Sequence, residues 1–218
     1  MRLTSMLSIA AMCGALGAVS FAQAVPGVKL PPSPLGQAAV QLGGRWEKTT
    51  EGGQRYRDGK WLVVDYSRPL LRGRKDIFGA GADYGKFVNG DATIWRVGAN
   101  DTTRLTAQAP LQIGGKTVPA GVYNVFADLK PGAWTFVLNT QPLQEKYDPN
   151  EKVKLYGAYN YDTKFDVLRV PMTVRQTDVS TEQLTLGFVN VTDASATLEI
   201  RWDKTIATVD LRLASGTM

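Results

Sequence analysis

The sequence predicts an all-β chain, a single-domain antiparallel β-sandwich with little helix, on three observations. From Trp61 onward the apolar residues alternate with polar ones at period two, the mark of strands with one buried and one wet face. Turn signals separate these runs: Gly114-Gly115, Pro119-Ala120-Gly121, Lys130-Pro131-Gly132, Asp148-Pro149-Asn150 and Asp193-Ala194. No run of helical spacing exceeds three turns, and neither an internal repeat nor a second composition regime divides the chain.

The chain opens on an export pattern. Arg2 is followed by a mostly apolar stretch, Leu3 to Phe21, and then by Ala22-Gln23-Ala24, a small-x-small cleavage site. Residues 1–24 are therefore expected to be a signal peptide and Val25 the mature N-terminus, placing the protein in the periplasm or outside the cell. The mature chain would have no transmembrane segment. Four prolines (Pro26, Pro31, Pro32, Pro34) make 25–34 an extended leader. Leu35 to Leu42, ended by Gly43-Gly44, fits either one helical turn or an edge strand, and the domain runs from there to Ala214.

Within the domain the alternation is regular. Trp61 to Tyr66 forms a strand. So do the runs through Trp134, Phe136 and Leu138; through Leu168, Val170, Met172 and Val174; through Leu184, Leu186 and Phe188; through Ala196, Leu198, Ile200 and Trp202; and through Val209, Leu211 and Leu213.

Composition narrows the chemistry. The chain has no histidine, and its single cysteine, Cys13, lies in the predicted signal. Most acid–base, nucleophilic and zinc chemistry runs through those two residue types. Disulfides are impossible in the mature chain, and no cofactor or metal is expected. Without Arg2 there are 24 basic and 20 acidic residues, a mild excess that favours solubility and gives no reason to expect nucleic acid. Asp148, Asn150 and Glu151 offer oxygen ligands but lack the spacing and glycine of a calcium loop.

Between Arg68 and Thr103 the strand rhythm fails. Long irregular stretches in compact domains usually have a functional reason, and this one concentrates arginine and glycine. Arg68, Arg72, Arg74 and Lys75 stand close together with only Asp76 beside them. Guanidinium forks suit carboxylate, phosphate or sulfate, and aromatic faces suit sugars or stacked cations. The predicted site is therefore ligand-binding and non-catalytic. Arg68, Arg72, Arg74, Arg96 and Asn100 hold polar groups, and Tyr66 and Trp95 act as flat walls. The ligand would be a small anionic or polyhydroxylated molecule, with an envelope protein as the other candidate partner. The competing structural reading pairs these arginines with Asp65, Asp76, Asp83 or Asp101. A third reading is an enzyme acting on glycans through Asp, Tyr or Lys, with Asp65 and Asp162 as paired carboxylates. A fourth is a purely structural or interaction domain.

The same residues carry a resemblance. Tyr66-Ser67-Arg68-Pro69, Arg72-Gly73-Arg74, Ile77-Phe78-Gly79, Tyr84-Gly85-Lys86 and Trp95-Arg96-x-Gly98-Ala99-Asn100-x-x-Thr103 resemble the signature of the bacterial family called domain of unknown function 2911 (DUF2911). So do Pro119-Ala120-Gly121-x-Tyr123, Gly157-Ala158-Tyr159-x-Tyr161-Asp162 and Asp166-Val167-Leu168-Arg169-Val170. Two departures are visible: eight residues, Phe87 to Ile94, separate Lys86 from Trp95, a longer spacing than the pattern suggests, and Tyr156 stands where tryptophan is usual. The resemblance implies an exported, β-rich domain with no assigned activity.

Overall fold

The computed structural model describes residue 27 and residues 29–215 of the chain; the predicted signal peptide and its cleavage site lie outside the described residues. The strands run in chain order as β1 (Leu35–Leu42), β2 (Arg45–Lys48), β3 (Gln54–Arg57), β4 (Lys60–Ser67), β5 (Arg104–Ala107) and β6 (Leu111–Ile113). After them come β7 (Lys116–Val118), β8 (Gly121–Asp128), β9 (Thr135–Asn139), β10 (Asp166–Pro171), β11 (Thr173–Val189) and β12 (Ser195–Leu213). Among the described residues one short helix, α1 (Lys86–Asn89), and two 3-10 turns, Gly81–Asp83 and Thr163–Phe165, complete the set. The expected all-β architecture is what the chain adopts. A six-stranded sheet in the order β1-β4-β5-β8-β9-β10 faces a four-stranded sheet in the order β11-β12-β6-β7, and β2-β3 form a separate hairpin. Every pairing between these strands is antiparallel.

The alternation read from the sequence becomes the two faces of each layer. On β4, Leu62, Val64 and Tyr66 point inward while Trp61 and Asp65 are exposed. On β12 the inward set is Ala196, Leu198, Ile200 and Trp202 before Asp203, then Ala207, Val209, Leu211 and Leu213 after it. The change of parity has a local cause: Asp203 takes a left-handed conformation (φ 49°), and the β11–β12 register shifts across from it. Leu35–Leu42, which fitted helix or strand, is an edge strand paired along its whole length with β4.

The irregular stretch is tied down at both ends. Beyond β4 the chain crosses from the first sheet to the second and runs beside β11. The Leu71 N–H donates to the Glu182 carbonyl at 2.8 Å, and the Leu184 N–H donates to the Pro69 carbonyl at 2.9 Å. At the other end Trp95 and Ala127 exchange backbone hydrogen bonds of 3.1 and 2.9 Å, so the chain joins the edge of β8 before β5 begins. Between the sheets, Phe78 meets Trp134, Trp95 and Trp202 edge-to-face at centroid distances of 4.7, 5.4 and 6.1 Å, and Trp95 stacks on Trp202 at 6.3 Å.

A second cluster, Ile94, Phe126, Val137, Leu155 and Ala158, covers the outer face of β8 and β9. Leu155 and Ala158 come from the excursion at residues 140–162, which the Gln141 side chain helps to hold. Gln141 Nε2 donates to the carbonyls of Val153 and Asn160 at 2.5 and 2.7 Å, and its Oε1 accepts the Asp162 N–H at 3.0 Å.

Trp95 is 1% exposed at the centre of the main core. Its replacement by alanine is expected to destabilise the protein by about 3–5 kcal/mol. Urea unfolding should show the midpoint fall with an unchanged slope; a near-neutral result would contradict a core role.

Candidate functional site

The segment Pro69–Gly79 is built by its buried ends. Leu71, Ile77 and Phe78 enter the core, while the chain between them reverses through left-handed residues at Arg72 (φ 51°), Gly73 (φ 81°) and Asp76 (φ 50°). Asp203, which inverts the parity of β12, also helps hold this turn. The residue is 8% exposed; its Oδ1 accepts the Ser180 hydroxyl at 2.9 Å and its Oδ2 accepts the Ile77 N–H at 3.4 Å. The turn thereby pushes Arg74, Lys75 and Asp76 to the surface.

These residues face the Gly81–Asp83 turn and helix α1 across a cleft of about 340 Å³, lined by Arg74, Lys75, Asp76, Ile77, Gly79, Asp83, Lys86 and Phe87. Arg74 is fixed rather than free. Its Nε donates to the Leu71 carbonyl at 2.8 Å and one terminal nitrogen to the Leu70 carbonyl at 2.5 Å. The guanidinium carbon then lies 5.2 Å from the centre of the Phe87 ring, which is itself 61% exposed. Lys86 pairs with Asp83 at 2.8 Å, and that hydrogen bond holds the Asp83 carboxyl below its usual range. Two neighbouring depressions, of about 220 and 380 Å³, share Asp76 with the cleft and add Ser180, Asp203, Lys204 and Thr205 to its border.

The predicted site residues do not converge on one cavity. Tyr66 is 4% exposed; its hydroxyl accepts the Leu186 N–H at 2.9 Å and donates to the Leu186 carbonyl at 3.3 Å, joining the two sheets. Tyr66 and Trp95 are thus core residues and offer no wall to a ligand, a correction to their expected role. The side chain of Arg68 packs over Gly36, and its Nε donates to the Leu184 carbonyl at 3.4 Å. Arg72 is exposed, and its backbone N–H donates to Glu182 Oε1 at 2.7 Å. Arg74 alone of the seven lines the cleft.

Arg96 and Asn100 form a separate cluster. One terminal nitrogen of Arg96 donates to the Asn100 carbonyl at 3.2 Å, and its guanidinium lies 5.9 Å from the Tyr159 ring centre. Burial lowers the Arg96 pKa, opposed by Tyr159, Tyr156 and Asp101. Gly157 (φ 61°) has no room for a Cβ against this guanidinium. Sequence reasoning missed Phe87, Lys204 and Asp203 as parts of the cleft region. Phe87 follows the Tyr84-Gly85-Lys86 motif directly, and Asp203-Lys204 sits where the β12 alternation changes parity, so both carried a signal.

The carboxylates considered for glycan chemistry are apart and occupied. Asp65 is on the outer face of β4 and takes Gln37 Nε2 at 2.6 Å. Asp162 takes the Lys164 N–H at 3.0 Å and its ammonium at 2.8 Å, and its carbonyl meets Asn139 of β9. From β4 to β9 is three strand spacings, about 14 Å, wider than the roughly 5–9.5 Å such a pair requires. Among the described residues no group of three or more carboxylates, histidines or cysteines is placed to hold a metal. Glu151 accepts the backbone N–H groups of Val153 and Lys154 at 2.7 and 3.2 Å.

A family model described as a protein of unknown function (DUF2911) matches residues 50–211. The chain belongs to the DUF2911 family. No curated protein and no solved structure matches it. The DUF2911 match spans the cleft and the Arg96 cluster alike. It also spans the Tyr159-x-Tyr161-Asp162 block, which packs on the sheet through the contact of Tyr161 with Phe126 at 5.0 Å.

Tyr161 also donates to Asp166 Oδ2 at 2.6 Å while Arg169 bonds both groups at 3.1 and 3.0 Å. Burial, followed by the Asp166 carboxylate, raises the Tyr161 pKa well above its ordinary value of 10.0. A raised folded-state pKa leaves stability intact below pH 10 and erodes it as pH rises beyond, because only the unfolded chain ionises there. The urea midpoint should therefore fall above about pH 10, and Tyr161→Phe should flatten that fall; an equal slope in the variant would contradict the assignment.

Proposed function

We propose that this DUF2911 protein is an exported, non-catalytic binding protein whose cleft between Arg74 and Phe87 takes a small anionic ligand with a flat or apolar body, an acidic sugar being the model case. The observation that supports this best is the fixed guanidinium of Arg74 above the exposed Phe87 ring, with Lys75 and Lys86 on the same cleft. Two backbone carbonyls orient the arginine before any ligand arrives, and its remaining donors have no protein partner among the described residues. A preoriented fork lowers the entropy lost on binding a carboxylate or sulfate. An exposed phenyl ring beside it suits the apolar face of a sugar.

Chemistry argues for holding over turnover. Asp83 is paired with Lys86 and held in its ionised form, which makes it a poor general acid at neutral pH. Arginine stays charged and moves no proton. Export is supported by Arg2, the apolar stretch to Phe21 and Ala22-Gln23-Ala24. Among the described residues no helix is long and apolar enough to cross a membrane.

Calorimetry with glucuronate, galacturonate, a sulfated monosaccharide and inorganic phosphate provides the test. Binding of at least one of them should weaken as salt rises. Arg74→Met and Phe87→Ala should each lower affinity about tenfold or more, a charge-assisted hydrogen bond being worth about 1.5–3 kcal/mol and the burial of a phenyl ring about as much. Arg96→Ala should bind as the unaltered protein does. Absence of binding to all four, or an equal loss in Arg96→Ala, would overturn the reading.

A further inference from the structure

A sheet edge is a row of unpaired N–H and C=O groups, and proteins protect it with charges, proline, short strands or a covering segment. Three of the four edges of this sandwich are protected. β10 carries Asp166 and Arg169 and ends at Pro171; β7 is three residues long and begins with Lys116; β11 carries Arg175, Asp178 and Glu182 and is covered at 182–184 by Pro69–Leu71. Among the described residues the fourth edge, β1, has none of these devices. Its eight residues, Leu-Gly-Gln-Ala-Ala-Val-Gln-Leu, hold no charge and no proline, and its register with β4 is unbroken from Leu35↔Ser67 to Leu42↔Lys60.

The direction of its free hydrogen bonds follows from one contact. The Arg68 N–H donates to the Pro34 carbonyl at 2.8 Å, so the even-numbered residues of β1 bond to β4. The backbone groups of Leu35, Gln37, Ala39 and Gln41 then point away from the sheet. They have no partner among the described residues. Leu35 is 74% exposed, and Gln37 and Ala39 are exposed as well.

We propose that the protein forms a two-fold dimer by antiparallel pairing of β1 with β1 of a second copy, centred on Ala39. A two-fold axis normal to the sheet keeps each face on its own side, so paired residues must share parity. Only odd residues present outward bonds, and centring on Ala39 pairs those of Gln37, Ala39 and Gln41 in both copies, with Leu35 alone falling opposite Gly43. Gln37 of each copy then lies opposite Gln41 of the other, and the joint gains about six backbone hydrogen bonds. Centring on Gln41 instead would run into Gly43, whose N–H is already taken by the Asp193 carbonyl. On the outer face the small Ala39 side chains meet without crowding, flanked by neutral amide pairs. On the inner face Ala38 comes beside Val40 of the second copy; both are partly buried hydrophobics packed on the core, so the apolar layer continues across the seam. No like charges oppose one another along the strand, and the two six-stranded sheets become one.

An interface built mainly on one strand is small, so the dimer should dissociate in the micromolar range. Sedimentation velocity from about one to several hundred micromolar should show a monomer–dimer equilibrium. Ala39→Pro removes a donor only at the free edge and leaves the bonds to β4 in place. Ala39→Lys sets two like charges face to face. Both variants should be monomeric at every concentration, with the circular dichroism of the unaltered protein and with its thermal midpoint at concentrations where it is itself monomeric; if proline perturbs folding, lysine still decides. A protein that stays monomeric throughout overturns the proposal, as does a dimer that survives both substitutions. Exchange-protected amides at Gln37, Ala39 and Gln41 in a monomer would assign the edge to the chain's own N-terminal residues, and would overturn it too. The cleft variants Arg74→Met and Phe87→Ala should leave the dimer unchanged, so this proposal and the ligand reading can fail independently.

Discussion

The burial of Phe78 among Trp95, Trp134 and Trp202 is the constraint on which the rest depends. Those four rings come from three places: the irregular stretch supplies Phe78 and Trp95, the residue just before β9 is Trp134, and β12 supplies Trp202. Their edge-to-face contacts, each worth about 0.5–1.5 kcal/mol beyond area burial, add to the backbone pairing at the two ends of the irregular stretch and fix it to the middle of the sandwich. A third attachment lies nearby, where Trp134 Nε1 donates to the Tyr84 hydroxyl at 2.8 Å. Between these anchors the chain has little freedom, and the cleft at Arg74 and Phe87 is a consequence of how they are spaced.

The arginines sort by what surrounds them. Arg68 spans the two sheets, Arg96 fills the gap between two loops, and Arg74 closes a turn while keeping part of its fork toward solvent. Equal charge and similar glycine-rich contexts thus give different uses. The distinction is the number of donors left over after the fold has taken its share. Asp203 follows the same logic in reverse: its carboxylate is consumed by Ser180 and Ile77, so it shapes the cleft from beneath.

Much of this was legible in the sequence. Period-two alternation identified the strands, and even the parity change between Trp202 and Val209 was written there, though its cause, a left-handed Asp203, was not. β1 was ambiguous because Leu35, Ala38, Ala39, Val40 and Leu42 fit a helical turn as well as a strand; pairing with β4 decides it. Within the irregular stretch alternation has no meaning, so nothing told inward from outward. Trp95 and Arg96 are adjacent, yet one enters the core and the other faces the 156–159 loop. The separation of Arg74 from Arg96 is a property of chain crossings between sheets, which local pattern does not encode.

The central claim is that an anionic ligand belongs at the anchored Arg74–Phe87 cleft and not at the Arg96 cluster. The most direct measurement is a titration of backbone amide chemical shifts with an acidic monosaccharide. Perturbations should centre on Arg74–Gly79, Asp83–Phe87 and Lys204, with Arg96–Thr102 and Tyr156–Tyr159 unmoved. Shifts centred instead on Arg96, Asn100 and Gly157 would contradict the account.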